Sequence, residues 1–323
     1  MADVVVIGAG PAGIFASMEL VKTSPGIDLV MVEQGSDIDT RGRTGRDMLV
    51  GWGGAGAYSD GKLTVSTDVG GQLSAIMPED DLLDLLTYVD GIYERRSPGS
   101  ALFAMDPEEV ASMAAKARLA GLVFVPARVR HLGTEHLRTI LEVFRRELEG
   151  KARMLFGVRA AEILADKGRV TGVRLEDSSV IPARYVIAAP GRVGSAWMRQ
   201  QAHRLGLESR PNPVDVGVRV ELPAVVLEPL TSRAYETKFV HFSRTFDDKV
   251  RTFCMNPYGE VVIETVGDLV TVNGHSWATK RTENTNFALL VSANFTEPFD
   301  DPIGYGESVA RLANMLGKGV IVQ

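Results

Sequence analysis

Near the amino terminus stands a run whose residue types and spacing can do chemistry: Gly8-Ala9-Gly10-Pro11-Ala12-Gly13, followed by Glu33 twenty positions after Gly13. Gly8 permits a tight strand-to-helix turn. Gly10 has no Cβ, so a pyrophosphate can approach the backbone, and Gly13 lets a helix pack close to a strand. A helix that starts here offers free N–H groups and a positive dipole end to phosphates. The Glu33 carboxylate can accept hydrogen bonds from ribose hydroxyls and disfavours a 2′-phosphate, which argues against NADP at this position. A G-x-G-x-x-G spacing alone is weak evidence. Here residues 4–7 read as a strand buried on both faces, 14–20 as a helix closed by Pro25-Gly26, and 28–32 as a second strand ending on Glu33. That register favours a dinucleotide site over a glycine-rich turn of some other α/β domain.

A second glycine-rich stretch follows, Gly51-Trp52-Gly53-Gly54-Ala55-Gly56-Ala57-Tyr58-Ser59-Asp60-Gly61. Five glycines in eleven residues exclude a stable helix or strand interior. Trp52, Tyr58 and Leu63, with few of the polar residues of a solvated linker, favour main chain pressed against a ligand. Between the two stretches, Arg41, Arg43 and Arg46 either neutralise phosphates or are solvated.

Composition sets the limits. The 323 residues give room for one large domain or two ordinary ones, and 45% hydrophobic with 24% charged residues is usual for a globular enzyme. A net charge of −6 provides no basic field, so nucleic acid is not an expected partner. The single cysteine, Cys254, permits no intrachain disulfide and fits a reducing, cytoplasmic compartment. No signal peptide is expected, because the N-terminus already reads as a strand, and no apolar run reaches membrane-spanning length. His131, His136, His203 and His241 are scattered, so no metal site is expected.

The elements that must position these residues follow in order. An amphipathic helix is expected over 80–95, with Leu82, Leu83, Leu86 and Val89 on one side. Asp106-Pro107-Glu108-Glu109 opens another helix, which runs to about 119. A short strand at 121–126 precedes a helix from Thr134, whose stripe is Leu137, Ile140, Leu141, Phe144 and Leu148. A third short strand at 152–157 is followed by a β-meander over 159–165, 169–176 and 180–183. A further buried strand from Tyr185 runs into Pro190-Gly191 and a helix over 195–205. Pro211-Asn212-Pro213 is the clearest linker. Beyond it, strands at 216–222, 238–243, 250–255, 261–265, 269–272 and 288–294 are separated by turns such as Asn256-Pro257-Tyr258-Gly259 and Asn273-Gly274. The pattern predicts an α/β chain. Residues 1–210 form a Rossmann-like domain with a parallel sheet, a β-meander and a helical insertion at about 75–130. Residues 211–323 form a mainly antiparallel β (α+β) substrate domain.

Four stretches carry a resemblance: VVVIGAGPAGIFAS at 4–17 with VMVEQG at 30–35, GWGGAGAYSDGKLT at 51–64, YVIAAPGRVGSAWM at 185–198, and VRTFCMNPYGEVV at 250–262 with TVNGHSWATKRTENTNFALLV at 271–291. Together they resemble the glutathione-reductase-like two-domain flavoproteins and, within them, a family of uncharacterised FAD-dependent dehydrogenases. The resemblance implies FAD as cofactor. Gly8, Gly10, Gly13 and Glu33, with Pro11, Ala12 and Gln34, are then expected at its ADP half. Gly53, Gly54, Ala55 and Gly56, with Ser59 and Lys62, are expected at the pyrophosphate, ribityl or isoalloxazine end. Val158 should offer backbone contacts to the adenine. Gly191 should let the turn after Ala188-Ala189 approach the cofactor. Such flavoproteins usually close with a strand, a Gly-Asp pair and a helix. The Gly-Asp pair of the second half, Gly267-Asp268, lies inside the expected β domain, so that closing segment is expected to be missing and the second domain incomplete.

The expected function is that of an FAD-dependent oxidoreductase exchanging hydride between flavin and a small organic substrate. Cys254, Tyr258 and His275 are candidate catalytic groups on the β domain, with Lys280 and Asn284 behind them. Cys254 lies in an apolar strand, where an inert thiol is the commoner meaning. His275 follows the Asn-Gly turn, so it is expected to be accessible, and a histidine titrates near neutral pH, which suits a proton donor, although a loop histidine is more often merely solvated. Without a second G-x-G-x-x-G, NAD(P)H is expected to bind transiently or a protein to serve as electron donor. Two other readings stand beside this one: an NAD-dependent dehydrogenase, and a truncated, non-catalytic FAD-binding protein.

Overall fold

The computed structural model describes residues 1–42, 48–295 and 301–317. Arg43 and Arg46 lie outside the described residues. In chain order the elements begin with β1 (Ala2–Ile7), α1 (Pro11–Thr23), β2 (Leu29–Glu33), β3 (Lys62–Val65), α2 (Glu79–Arg96), β4 (Ala101–Phe103), α3 (Pro107–Leu119), β5 (Val123–Val125) and β6 (Arg128–His131). They continue with α4 (Thr134–Leu148), β7 (Arg153–Phe156), β8 (Ala160–Asp166), β9 (Arg169–Leu175), β10 (Val180–Ala188) and α5 (Ser195–Arg204). The rest are β11 (Val214–Pro223), α6 (Ala224–Thr231), β12 (Lys238–Phe242), β13 (Lys249–Asn256), β14 (Glu260–Val266), β15 (Leu269–His275), β16 (Asn284–Ala293) and α7 (Pro302–Leu316).

The chain divides into two units. Unit 1 comprises Met1–Tyr58 and Leu137–Arg210; unit 2 comprises Ser59–His136 and the chain from Pro211 onward. The chain crosses between the units after Tyr58, inside α4 and at the Pro211-Asn212-Pro213 stretch. The helical segment at 75–130 falls in unit 2.

Unit 1 is an α/β layer built on a six-stranded sheet of order β7-β2-β1-β10-β9-β8. β7, β2, β1 and β10 run parallel, and β8–β10 form the antiparallel meander. Val5, Val6, Val30 and Val32 of the central strands are buried, as continuous β-branched runs in a doubly covered sheet must be. Each such side chain contributes roughly 1.5–3 kcal/mol of burial. Leu137, Ile140, Leu141, Phe144 and Leu148 of α4 are all buried, and the Phe144 ring meets Phe15 edge-on at 5.6 Å. One expectation is corrected. The strands at 180–183 and from Tyr185 are a single strand, β10, which pairs antiparallel with β9 through Val180–Pro182 and then parallel with β1 from Ala183. The lack of an N–H at Pro182 falls where β10 changes partner, so it costs no interior ladder bond.

Unit 2 is mainly antiparallel. It holds a five-stranded sheet of order β11-β16-β13-β12-β5, a three-stranded sheet β3-β6-β4, and the hairpin β14-β15. α3 opens on a capping box between Asp106 and Glu109, as its sequence predicts. It packs Met113 and Ala117 against Phe124, with Leu230 and Phe239 around them. Sequence reasoning misses β3, β4, β6 and α6. β3, β4 and β6 have three or four residues each, too few to show alternation, and α6 carries two adjacent valines and an internal Pro229. On α2 the buried residues are Leu82, Asp90 and Ile92, while Leu83 is exposed. Asn273-Gly274 is not a turn: both residues lie within β15, where Gly274 makes room for Asn256, Arg219 and Asn286. The turn of this hairpin is Gly267-Asp268 instead, between the paired Val266 and Leu269. Among the described residues no helix is long and apolar enough to cross a membrane.

Candidate functional site

The β1–α1 turn folds as its glycines require. Gly8 takes φ +99°, and a Cβ on it would stand 2.2 Å from the Ala189 carbonyl oxygen. A Cβ on Gly13 would stand 1.9 Å from the Gly8 carbonyl oxygen. Both glycines are demanded by packing. Gly10 differs. Its φ is −77°, open to any residue, and a Cβ there would meet nothing nearer than Gly54 Cα at 3.9 Å. Gly10 is the N-cap of α1, with no side-chain cap and no acidic residue in the first turn. The positive end of the helix dipole is left to whatever approaches it.

The second glycine stretch is pinned onto this turn. The Gly53 N–H donates to Ala9 O (2.7 Å). Trp52 is fully buried, and its Nε1 donates to Leu141 O (2.9 Å). The buried Arg41 guanidinium donates to Trp52 O (2.5 Å), Gly54 O (2.7 Å) and Met48 O (3.2 Å). Arg41 therefore braces the loop's carbonyl groups. Glu33 is buried at the end of β2. Its Oε2 accepts from the Ala9 N–H (2.8 Å), and its Oε1 from the Gly35 N–H (2.8 Å) and the Gly51 N–H (2.9 Å). An ionised carboxylate has about four acceptor positions, so one is left after these three.

These segments enclose a cavity of about 350 Å³ in unit 1, within the size range of small-molecule sites. Of the residues expected at a cofactor, Gly8, Gly10, Pro11, Glu33, Gln34, Gly54, Ala55, Gly56, Val158, Ala189 and Gly191 line it. Ala12, Gly13 and Gly53 belong to unit 1 but do not line it; Gly13 and Gly53 face the packing of α1 and Leu141. The Val158 N–H already donates to Glu33 O (3.0 Å). Ser59 and Lys62 fall in unit 2. Sequence reasoning does not single out Arg159, Arg192 or Trp197, which also line the cavity. The available signal for Arg192 is its place directly after Gly191.

Unit 2 holds a network of buried polar groups that starts at Lys62. Its ammonium donates to Asp60 Oδ2 (3.0 Å), Glu236 Oε2 (3.1 Å) and Met255 O (2.7 Å). Burial alone would lower the Lys62 pKa, but Asp60 and Glu236 together hold it well above its usual value. Asn256 Nδ2 donates to Asp60 Oδ2 (2.7 Å), and Arg219 Nη1 to Asn286 Oδ1 (2.7 Å), Asn256 Oδ1 and Cys254 O.

Cys254 sits at a bulge of β13, at φ +49°, with its Sγ 3.6 Å from Lys62 Nζ and its N–H donated to Glu236 Oε1 (3.0 Å). Tyr258 donates its O–H to Glu228 Oε1 (2.8 Å), and the Arg281 guanidinium lies 4.6 Å from its ring centroid. His275 ends β15 opposite Glu260 and is half-buried, which lowers its pKa. The Asn-Gly turn expected before it is corrected, because that pair is inside the strand. Lys280 lies over the Trp277 ring at 4.6 Å, and Asn284 starts β16 opposite Pro223.

Close by, the Tyr235 hydroxyl lies 2.6 Å from Ser276 Oγ and 3.0 Å from His131 Nε2. Burial lowers the His131 pKa to about 4 and raises that of the Tyr235 phenol, so both are neutral near pH 7. Among the described residues no group of three His, Cys, Asp or Glu side chains could hold a metal ion.

No family model matches the chain. A protein of Clostridium beijerinckii, described as uncharacterized, is 24% identical over 314 residues, covering 90% of this chain and 51% of its own length. The chain thus spans about half the length of the curated relative it matches. Among solved structures, it is similar to an L-amino acid deaminase from Proteus vulgaris (16% identity, 69% of this chain and 54% of that one, TM-score 0.42). It is also similar to a glycine oxidase from Bacillus cereus (13%, 96% and 77%, 0.41). A third is pqsL, a probable FAD-dependent monooxygenase from Pseudomonas aeruginosa (17%, 96% and 66%, 0.39). At these scores the neighbours assign no roles to residues of this chain.

Proposed function

We propose that unit 1 binds the ADP half of FAD and that the chain belongs to an FAD-dependent oxidoreductase acting on a small organic substrate. Gly10 carries this reading. Neither backbone conformation nor packing requires glycine there, yet the position opens the uncapped N-terminus of α1 to the cavity. A pyrophosphate is the group that such a site fits. The residues present fit the rest of the nucleotide. Glu33 keeps one acceptor position for a ribose hydroxyl, and Val158 and Gly191 line the cavity beside it.

Flavin is favoured over a nicotinamide cofactor by the second glycine loop. Arg41 and the Gly53 N–H hold Gly54–Gly56 on the same cavity, a feature that a simple nicotinamide site does not need. When bound, FAD supplies the hydride-exchanging centre, and the protein supplies placement and electrostatics. The residues named here would hold phosphate, ribose and adenine. The resemblance to uncharacterised FAD-dependent dehydrogenases supports the same reading, with NAD(P)H or a protein as the electron partner.

The test is the absorbance spectrum of purified protein, taken before and after FAD titration and again after NADH or NADPH. A bound flavin spectrum is expected, bleached by the correct donor. Colourless protein that takes up no FAD would overturn the proposal, and saturable uptake of NAD alone would favour the nicotinamide reading.

A further inference from the structure

A second cavity lies wholly within unit 2, and the reading above does not use it. It measures about 730 Å³, inside the ~300–1,000 Å³ range of small-molecule sites. Its walls come from separate stretches of the chain. Phe103 follows α2, Glu228 lies on α6 and Tyr235 follows it, Tyr258 joins β13 to β14, and Trp277 and Arg281 lie between β15 and β16.

Four of these six residues are aromatic, and the innermost is held in place. The Tyr235 ring stacks on His131 (centroids 4.3 Å apart, 27° between planes) and meets Phe103 at 4.9 Å. Its hydroxyl is fixed by His131 Nε2 and Ser276 Oγ. A wall whose polar tip is already bonded need not reorganise to receive a flat ligand.

Among the described residues, two charged side chains line the cavity, Glu228 and Arg281. Glu228 accepts the Tyr258 hydroxyl. Arg281 is exposed, lies over the Tyr258 ring and forms no ion pair among the described residues. A guanidinium with its fork of donors uncommitted, beside aromatic faces, fits a carboxylate. With one cation and one carboxylate in the wall, a monoanion is matched better than a dianion such as a phosphate ester.

We infer that this cavity of unit 2 is a binding site for a planar aromatic monocarboxylate, with Arg281 holding the carboxylate and Tyr258, Trp277 and Tyr235 clasping the rings. The inference stands independently of flavin.

Calorimetric titration of the full chain with 2-naphthoate, 2-naphthamide and 2-naphthyl phosphate tests it. The acid is expected to bind about tenfold more tightly than the amide, as a charge-assisted pair of ordinary strength gives, and more tightly than the phosphate. Arg281→Gln should bring the acid down to the level of the amide and leave the amide unchanged. Trp277→Leu should weaken both. Because Arg281 is exposed, its replacement should leave the circular dichroism spectrum and FAD uptake as they were, which separates failure here from failure of the flavin reading. Equal binding of acid and amide, tighter binding of the phosphate, an unchanged affinity in Arg281→Gln, or no binding of any of the three would overturn the inference.

Discussion

Around the cavity of unit 1 the lining joins glycine-rich turns and the open end of α1 with side chains such as Glu33, Arg159, Arg192 and Trp197, and Arg41 braces the second glycine loop. Around the cavity of unit 2 the lining is richer in rings, among them Phe103, His131, Tyr235, Tyr258 and Trp277, with Glu228 and Arg281 as its charged side chains. The supports differ in the same way. Unit 1 rests on an apolar sheet core with valines at its centre. Unit 2 rests on charges and amides buried among its strands, from Asp60 and Lys62 to Arg219 and Asn286. A site made of backbone tolerates changes of nearby side chains but not an added methyl group. A site made of side chains on a buried polar network should respond steeply to the loss of a single charge and to pH.

The largest expected effect lies in unit 2. Lys62→Met leaves the Asp60 and Glu236 carboxylates without their ammonium, and removing one partner from a buried ion pair costs about 3–5 kcal/mol. Urea unfolding should show that loss. A change below about 1 kcal/mol, the scale of an exposed pair, would remove the contrast between the units.

A similar effect should come from pH. His131 is buried with a pKa near 4 in the folded protein, lowered by burial and by Lys62 against the opposing pull of Asp60 and Glu135. Its unfolded value is about 6.5. Between these values the unfolded chain binds the proton that the folded chain refuses, so stability is complete above pH ~6.5 and falls as pH drops toward 4. The gap is worth about 3 kcal/mol at ~1.36 kcal/mol for each pH unit. Measured against His131→Gln from pH 7.5 to 4.5, the native protein should lose about 2.5 kcal/mol more stability, most of that gap. Parallel curves would show that His131 is not the buried base described here.

In unit 1 a smaller effect sharpens the comparison. Gly13→Ala places a methyl group against the Gly8 carbonyl and should cost roughly 1–3 kcal/mol, the usual range for overpacking. Thermal unfolding would show it. Gly10→Ala, three residues away, should be neutral in stability within about 0.5 kcal/mol, because its Cβ would meet only Gly54 Cα, at an ordinary contact distance of 3.9 Å.

The two units also differ in how far their sequences reveal them. The β1–α1–β2 segment is legible because each requirement is local. β-branched runs make buried strands, and two glycines three positions apart, Gly10 and Gly13, meet different demands within one turn. The α4 stripe is legible for the same reason, since Leu137 to Leu148 repeat at helical spacing. The network of unit 2 is not. Lys62 meets Glu236 and Met255 across more than 170 positions, and no periodicity announces such a meeting. By adjacency in sequence, Ser59 and Lys62 read as part of the glycine loop, but β3 begins at Lys62 and carries it into unit 2. His275 reads as accessible because Asn-Gly is a strong turn signal. Here Gly274 serves a close approach by Asn256, and the signal has another cause. Tyr235 and His131 share no motif and meet only because β6 and the stretch after α6 are folded together.

The proposed pyrophosphate contact lies at Gly10, in the glycine-lined cavity of unit 1. FAD titration of the native chain beside Gly10→Val, followed by visible absorbance and checked by circular dichroism, tests it most directly. Saturable FAD uptake is expected of the native chain, and uptake at least about tenfold weaker of the variant, as loss of one charge-assisted contact implies, with an unchanged dichroism spectrum. Equal uptake by both proteins, or none by the native chain, would contradict it.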